Sequence, residues 1–261
     1  MHGSIDQEIG NYFRIGFSTN NNYTNSNNGM GMYGVLSMSP IADPYDADGN
    51  WKRTIKMPLD ENWNQTKDIV NALGDRYIDK KKAFASYNTL FGEVKIPGIE
   101  GLKYRISLAG NLRTTNDGNY TGEGVGSSNA TTVSTAGISN SRNTNWVVQN
   151  LLTYDRRFGK HSINVVGLYS VEETLYNSSN VSAKDSPADA FQVYNLGRAA
   201  GEITVNPEYQ NYEKSGLMSY MGRAMYAYDN RYMISATIRS DASSRLAEGH
   251  KWHTYPALSV G

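Results

Sequence analysis

Residues with the types and spacing for chemistry are few, and each set falls short of a working site. The run Asp46 to Asn50 (DADGN) invites comparison with a calcium loop. An EF-hand with its invariant glycine at Gly49 would need a ligand at Pro44 and the closing glutamate at Ile55, so a type I or Asx turn is the expected structure. His250 and His253, with Glu248 nearby, have the i, i+3 spacing of a helix face but lie in a glycine-containing loop, and zinc signatures of that kind place two histidines four apart around a glutamate. Gly122 to Ser127 (GEGVGS) lacks the third glycine of a dinucleotide fingerprint and any flanking βαβ unit. No Gly-x-Ser-x-Gly elbow exists, and the serines sit in low-complexity polar stretches. The chain is therefore expected to be no enzyme, with no catalytic residues, no metal and no cofactor. Trp51 and Trp63 remain as ligand-binding candidates, since an indole on a long loop can stack on a sugar ring; packing that anchors the loop is the plainer alternative.

The composition limits the remaining classes. The 261 residues carry 25 basic and 25 acidic side chains, so electrostatics predicts no nucleic-acid partner. Charged residues make up 19%, below an ordinary globular domain, while mean hydropathy is -0.57, so uncharged polar residues supply the hydrophilicity. With 19 Tyr against 6 Phe, the aromatic side chains are mostly amphipathic, which suits positions between an apolar and a wet environment. There is no cysteine, which excludes a disulfide scaffold. No stretch reaches the length of an apolar membrane helix, but β-barrels escape that test because their strands are only half apolar.

The elements that position the remaining charged residues follow a period of two. Tyr220, Gly222, Ala224, Tyr226 and Tyr228 alternate with Ser219, Met221, Arg223, Met225 and Ala227; then Tyr232, Ile234, Ala236 and Ile238 alternate with Met233, Ser235, Thr237, Arg239 and Asp241. Residues facing one another across an antiparallel pair share a face, so Tyr228 is expected to pair with Tyr232 around the loop Asp229-Asn230-Arg231. In LKYRISLAGNLR, Leu102, Tyr104, Ile106, Leu108 and Leu112 oppose Lys103, Arg105, Ser107, Asn111 and Arg113.

About nine such strands are expected, two of them through residues 13–18 and 30–38 with a modest Asn-rich turn between. The segments 40–82 (with a short helix near KDIVNAL), 114–143 and 174–216 read as long loops, and 241–253 as a further one. The connections 97–101, DRRFGK and 229–231 read as tight. Turns that alternate between short and long describe a wall with one tidy and one elaborate rim, the pattern of a transmembrane β-barrel with short periplasmic turns and long extracellular loops. Arg105, Arg223, Arg239 and Asp241 then face the lumen, chiefly as a wall network, while Tyr104, Tyr154, Tyr169 and Tyr226 join interface belts.

These residues resemble the SusC/RagA-like TonB-dependent outer-membrane transporters of Bacteroidetes. The resemblance is carried by GRAMYAYDNRYMISATIRSDASSRLAEGHKWHTYPALSVG from Gly222 onward, and more weakly by NLLTYDRRFGKHSINVVGLYSVEE and SPIADPYDADGNW. Leu246, Tyr255 and the HKWH run depart from the family pattern. The resemblance implies that residues 1–261 are an internal piece of an all-β, antiparallel up-and-down barrel, with the N-terminal plug and the last strands absent. It further implies a bacterial outer-membrane location, import of a bulky oligosaccharide or peptide, a SusD-like lipoprotein over the extracellular rim, and TonB acting through the missing plug. A self-contained small barrel or adhesin acting through its loops is the alternative function, and a secreted β-sandwich binding module the third. The strand pattern alone reaches only a barrel wall with large outer loops.

Overall fold

The computed structural model describes residues 1–29, 39–50, 52–56, 63–65, 76–125 and 129–261. Its strands are β1 (His2–Ile9), β2 (Phe13–Asn27), β3 (Thr54–Lys56), β4 (Trp63–Gln65), β5 (Tyr77–Lys95), β6 (Leu102–Thr121), β7 (Thr135–Phe158), β8 (His161–Lys184), β9 (Ile203–Thr204), β10 (Asn211–Tyr228), β11 (Tyr232–Ser243) and β12 (Trp252–Val260). One antiparallel sheet takes the order β1-β2-β5-β6-β7-β8-β10-β11-β12, each strand beside its successor, with short β9 added to β8; β3 and β4 pair separately. This is the all-β up-and-down wall expected. Among the described residues nothing pairs with the outer edges of β1 and β12, so the sheet is not closed.

Register agrees with the alternation. Tyr228 lies opposite Tyr232, and the tyrosine-rich parity of β10 continues across Tyr226↔Ile234, Ala224↔Ala236 and Gly222↔Ile238. Asp229 and Asn230 both adopt positive φ, and the Arg231 amide donates to the Tyr228 carbonyl at 3.0 Å, which closes a tight turn whose twist matches the flanking strands. At the tight turn between β5 and β6 Gly101 has φ +90°, and its carbonyl accepts from the Asp155 amide at 2.9 Å; a Cβ there would overlap the Asp155 carbonyl.

Three parts of the expected map change. The chain start was not expected to form a strand, yet His2–Ile9 pairs with β2. The Asn-rich run after Ser18 is no turn: β2 continues to Asn27 and pairs with β5 along its length. The loops 114–143 and 174–216 shrink, because β6 and β7 pair as far as Thr121↔Thr135 and β8 and β7 as far as Lys184↔Thr135. These extensions are polar on both faces, so they show no alternation, but backbone pairing needs none. The expected strand 30–38 and the helix near KDIVNAL lie outside the described residues. Short and long connections still alternate around the sheet.

Parity divides the sheet into two faces. One carries Phe13, Ile15 and Phe17 of β2, Leu90 and Val94 of β5, the β6 series Leu102 to Leu112, Val148, Leu152 and Tyr154 of β7, Ile163 and Val165 of β8, and the tyrosines and isoleucines of β10 and β11. These side chains stay uncovered: Phe13 is 59% exposed, Leu108 43%, Ile238 56% and Leu258 72%. No second sheet packs on them, so the sandwich architecture is not formed among the described residues.

The buried cluster is small and sits at the long-loop end, where Ile78, Tyr120, Ala136 and Val193 meet. The Tyr120 hydroxyl donates to Asp189 Oδ1 at 2.7 Å, and Arg76 Nε stands 3.3 Å from Asp189 Oδ2, tying the loop around 189–198 to the tops of β5 and β6. Burial first, and then the adjacent Asp189 carboxylate, push the Tyr120 phenol up to about 12, so it remains a protonated donor at physiological pH. Tyr120→Phe is expected to weaken this tie by about 1.5 kcal/mol, read as roughly tenfold faster amide exchange around 189–198; unchanged protection would show that the hydroxyl does not hold the loop.

Candidate functional site

The face opposite the apolar one collects the charges, and strand parity is what places them there. Asp6 of β1 lies across from Gly16 of β2, Gly16 across from Phe91 of β5, and Glu93 stands between Arg14 and Arg105 on the adjoining strands. Arg14 clasps Asp6 through two hydrogen bonds, Nε to Oδ1 at 2.8 Å and a terminal guanidinium nitrogen to Oδ2 at 2.7 Å. Phe91 lies directly on Gly16, where any Cβ would overlap its ring. On the ring sits Arg105, its guanidinium carbon 3.8 Å from the centroid, with Arg14 at 5.8 Å and the Arg105 Nε donating to Ser107 Oγ at 3.3 Å. Glycine, aromatic ring and guanidinium thus form a stack that fixes a cation on this face.

A second group lies further along the same face. Asn145 Nδ2 donates to Glu172 Oε1 at 2.8 Å and to Thr174 Oγ1 at 2.9 Å, and Asn111 Nδ2 reaches Asn145 Oδ1 at 3.4 Å. A shallow depression beside it is bounded by Glu172, Ser215, Leu217 and Arg245. The third group joins β10 and β11: Arg239 Nε donates to both Asp241 oxygens at 3.0 and 2.9 Å, and a terminal nitrogen of Arg239 stands 3.5 Å from Ser219 Oγ. Arg105, Arg223, Arg239 and Asp241 therefore share one face as the alternation predicts, but only Arg239 and Asp241 touch; Arg223 lies across from Thr237, and Arg105 belongs to the distant β6 group.

The remaining candidates scatter. Trp51 lies outside the described residues, and Trp63 opens β4 opposite Lys56. The DADGN run is an Asx turn: Asp46 Oδ1 accepts the amides of Asp48 and Asn50 at 3.0 and 2.8 Å, with Gly49 at φ +80°. These contacts, led by the Asn50 amide, hold the Asp46 carboxyl below its ordinary range. His250 sits in the loop before β12, and His253 lies on β12 across from Asp241, so the two do not form a clamp.

Sequence reasoning missed polar groups on the apolar face. Thr19 Oγ1 donates to Asn88 Oδ1 at 2.7 Å, Asn21 Nδ2 to Thr19 Oγ1 at 2.9 Å and Asn88 Nδ2 to Ser86 Oγ at 2.9 Å; separately, the Tyr104 hydroxyl donates to Asn150 Oδ1 at 2.6 Å. Each of these polar residues has a partner on the same face, which only the cross-strand register reveals. Tyr169 also stacks on Tyr220 at 5.0 Å, and Tyr220 on Trp252 at 5.8 Å.

Gly16→Val is expected to displace the Phe91 ring and to lower stability by about 1 to 3 kcal/mol. The penalty should largely vanish in a Phe91→Ala background, a double-mutant comparison readable by denaturant unfolding of the protein in detergent. Equal penalties in both backgrounds would disprove the stack.

No family model matches the chain. Among curated proteins it is similar to TonB-dependent receptor P3 of Formosa agariphila, 26% identical over 231 residues covering 85% of this chain and 21% of P3, and to TonB-dependent receptor P26 of the same organism, 26% identical over 277 aligned positions covering 100% of this chain and 26% of P26. TonB-dependent receptor SusC of Bacteroides thetaiotaomicron is 42% identical over 48 residues, 18% of this chain and 5% of SusC. Among solved structures the RagAB peptide importer in its open-open state superposes with a TM-score of 0.77 at 16% identity, over 97% of this chain and 28% of that one. The chain thus spans about a quarter of the relatives that it matches along most of its length, and those relatives are receptors and transporters rather than enzymes. In sequence the chain is related to the TonB-dependent receptors, SusC among them, and in fold to the RagAB barrel wall, so the SusC/RagA-like resemblance read from its strands holds.

Proposed function

We propose that this chain forms part of the wall of a TonB-dependent importer in the bacterial outer membrane. Its apolar face meets lipid, its charged face lines the passage, and its long loops lie on the outside. The uncovered apolar face carries this reading: side chains from Phe13 on β2 to Leu258 on β12 stand exposed on one side of a sheet whose strands are otherwise fully paired. Hydrocarbon accepts such a surface, and it also accepts the Thr19, Asn21, Asn88 and Asn150 side chains there because each is hydrogen-bonded to a neighbour. The cargo is a bulky oligosaccharide or peptide; the superposition on a protein described as a peptide importer supports the peptide.

In the whole transporter, a SusD-like lipoprotein caps the loop rim and TonB acts through a plug inside the lumen. Arg105, Arg223, Arg239 and Asp241 then border the plug and passage, while Trp51 and Trp63, on the segment between β2 and β5, are the candidate ligand contacts. A self-contained small barrel requires β1 to meet β12, which the described strands do not do.

Adjacent residues of β6 test the two-sided wall. In the full-length receptor Leu108→Arg places a cation on the lipid face at a cost of about 2 to 4 kcal/mol near the midplane, and should sharply reduce the heat-modifiable, membrane-assembled form on SDS gels. Ser107→Arg, one residue away, should assemble as wild type. Equal assembly of both variants, or the reverse order, would contradict the proposal.

A further inference from the structure

On the outward face the apolar belt ends abruptly toward the long loops. Phe84 of β5, Leu112 of β6 and Trp146 of β7 end the uncovered belt; the next outward positions are Lys82, then Thr114 and Asn116, then Thr144, Arg142 and Asn140, and the apolar residues beyond them, Ile78, Tyr120 and Ile138, are packed in the cluster under the loop around 189–198. A tilted strand crosses the hydrocarbon in about 9 to 11 residues. Val94 and Phe84 bracket such a length on β5, so Lys82 stands at headgroup height.

This tier is a built groove. Tyr23, Lys82, Asn116, Asn140, Arg142 and Asn177 line a depression of about 400 Å³. Lys82 pairs across the sheet with Asn116, and Arg142 with both Thr114 and Asn177. Two strand spacings and a two-residue offset separate the two cations, roughly 12 Å at the backbone, within reach of one anionic group held between their long side chains. Asn116 Nδ2 donates to Asn140 Oδ1 at 2.6 Å, which leaves the Asn140 amide free to donate outward. Both cations are exposed, and neither forms an ion pair among the described residues. Of the acids on this side, Glu173 is engaged by Lys214 at 3.0 Å and Asp189 by Tyr120 at 2.7 Å and Arg76 at 3.3 Å, while Asp117, beside Lys81 at 3.9 Å, belongs to the opposite face.

We infer that the Lys82–Arg142 groove binds the phosphate of a membrane lipid headgroup. The acyl chains of that lipid lie down the apolar belt past Phe84 and Tyr23. Charge complementarity, height and continuity with the apolar surface all favour a lipid over a soluble anion. Two exposed cations and amide donors at the edge of an acyl-compatible surface match a phosphate attached to chains, and each such cation contributes measurably to headgroup affinity. The inference rests on the outer-membrane barrel reading and adds a lipid site to it.

The test is native mass spectrometry of the detergent-purified full-length receptor titrated with phosphatidic acid, diacylglycerol or inorganic phosphate. Phosphatidic acid should be retained several-fold over diacylglycerol, which differs only by the phosphate, and Lys82→Glu/Arg142→Glu should lower that retention roughly tenfold or more. Where the charge reversal prevents assembly, Lys82→Gln/Arg142→Gln serves, and the wild-type comparison of the two lipids stands alone. Equal retention of both lipids, undiminished retention by the variants, or inorganic phosphate competing as well as the lipid would overturn the inference. Heat-modifiable mobility of the same sample checks the barrel separately: a folded barrel without phosphate preference refutes the lipid site alone, whereas loss of heat-modifiability in wild type refutes the barrel.

Discussion

An apolar sheet face with no protein to cover it is the constraint from which the rest follows. A water-facing monomer rarely tolerates a contiguous apolar patch beyond a few hundred Å², yet here one face of β2 to β12 is studded with exposed Phe, Leu, Ile and Tyr. In water such a face would drive aggregation. In hydrocarbon it is the preferred surface, provided that every backbone group in the strands is paired, as the continuous ladders between consecutive strands ensure. Polar residues within the apolar belt obey the same rule through Thr19, Asn88, Ser86 and the Tyr104–Asn150 contact.

The opposite face carries the charges. Its ion pairs, Asp6–Arg14 and Arg239–Asp241, are largely exposed and contribute little to stability in water. In the proposed importer wall they fix charge along the passage. The Gly16–Phe91–Arg105 stack shows how this is achieved, since the absent side chain at one position lets a ring lie flat, and the ring then holds the guanidinium. The two faces together explain why charged residues are scarce in this chain while uncharged polar residues abound.

How much of this was legible in the sequence depended on whether one face was apolar. Wherever it was, the period of two survived, and it fixed the Tyr228↔Tyr232 register, the shared side of Arg105, Arg223, Arg239 and Asp241, and the alternation of turn lengths. Residues 20–27, 114–121, 135–143 and 174–184 are largely polar on both faces, so side-chain pattern carried no signal for strands that backbone pairing nevertheless extends. β1 was overlooked because Ile5 and Ile9 alone mark its apolar side. Parity assigned a side to each site residue but not a neighbour along the wall: the contact of Arg105 with Phe91 and the separation of Arg223 from Arg239 depend on cross-strand register, which one sequence does not print.

Because this chain contributes no cysteine, single substitutions to cysteine along β6 from Lys103 to Leu112, made in a cysteine-free full-length receptor assembled in the membrane, give an unambiguous readout. Labelling with a membrane-impermeant, water-soluble maleimide should mark the odd positions and spare the even ones, while a lipid-soluble maleimide shows the reverse. Labelling that ignores parity, or that marks positions 105 and 106 alike from water, would contradict a wall with hydrocarbon against Ile106 and an aqueous passage against Arg105.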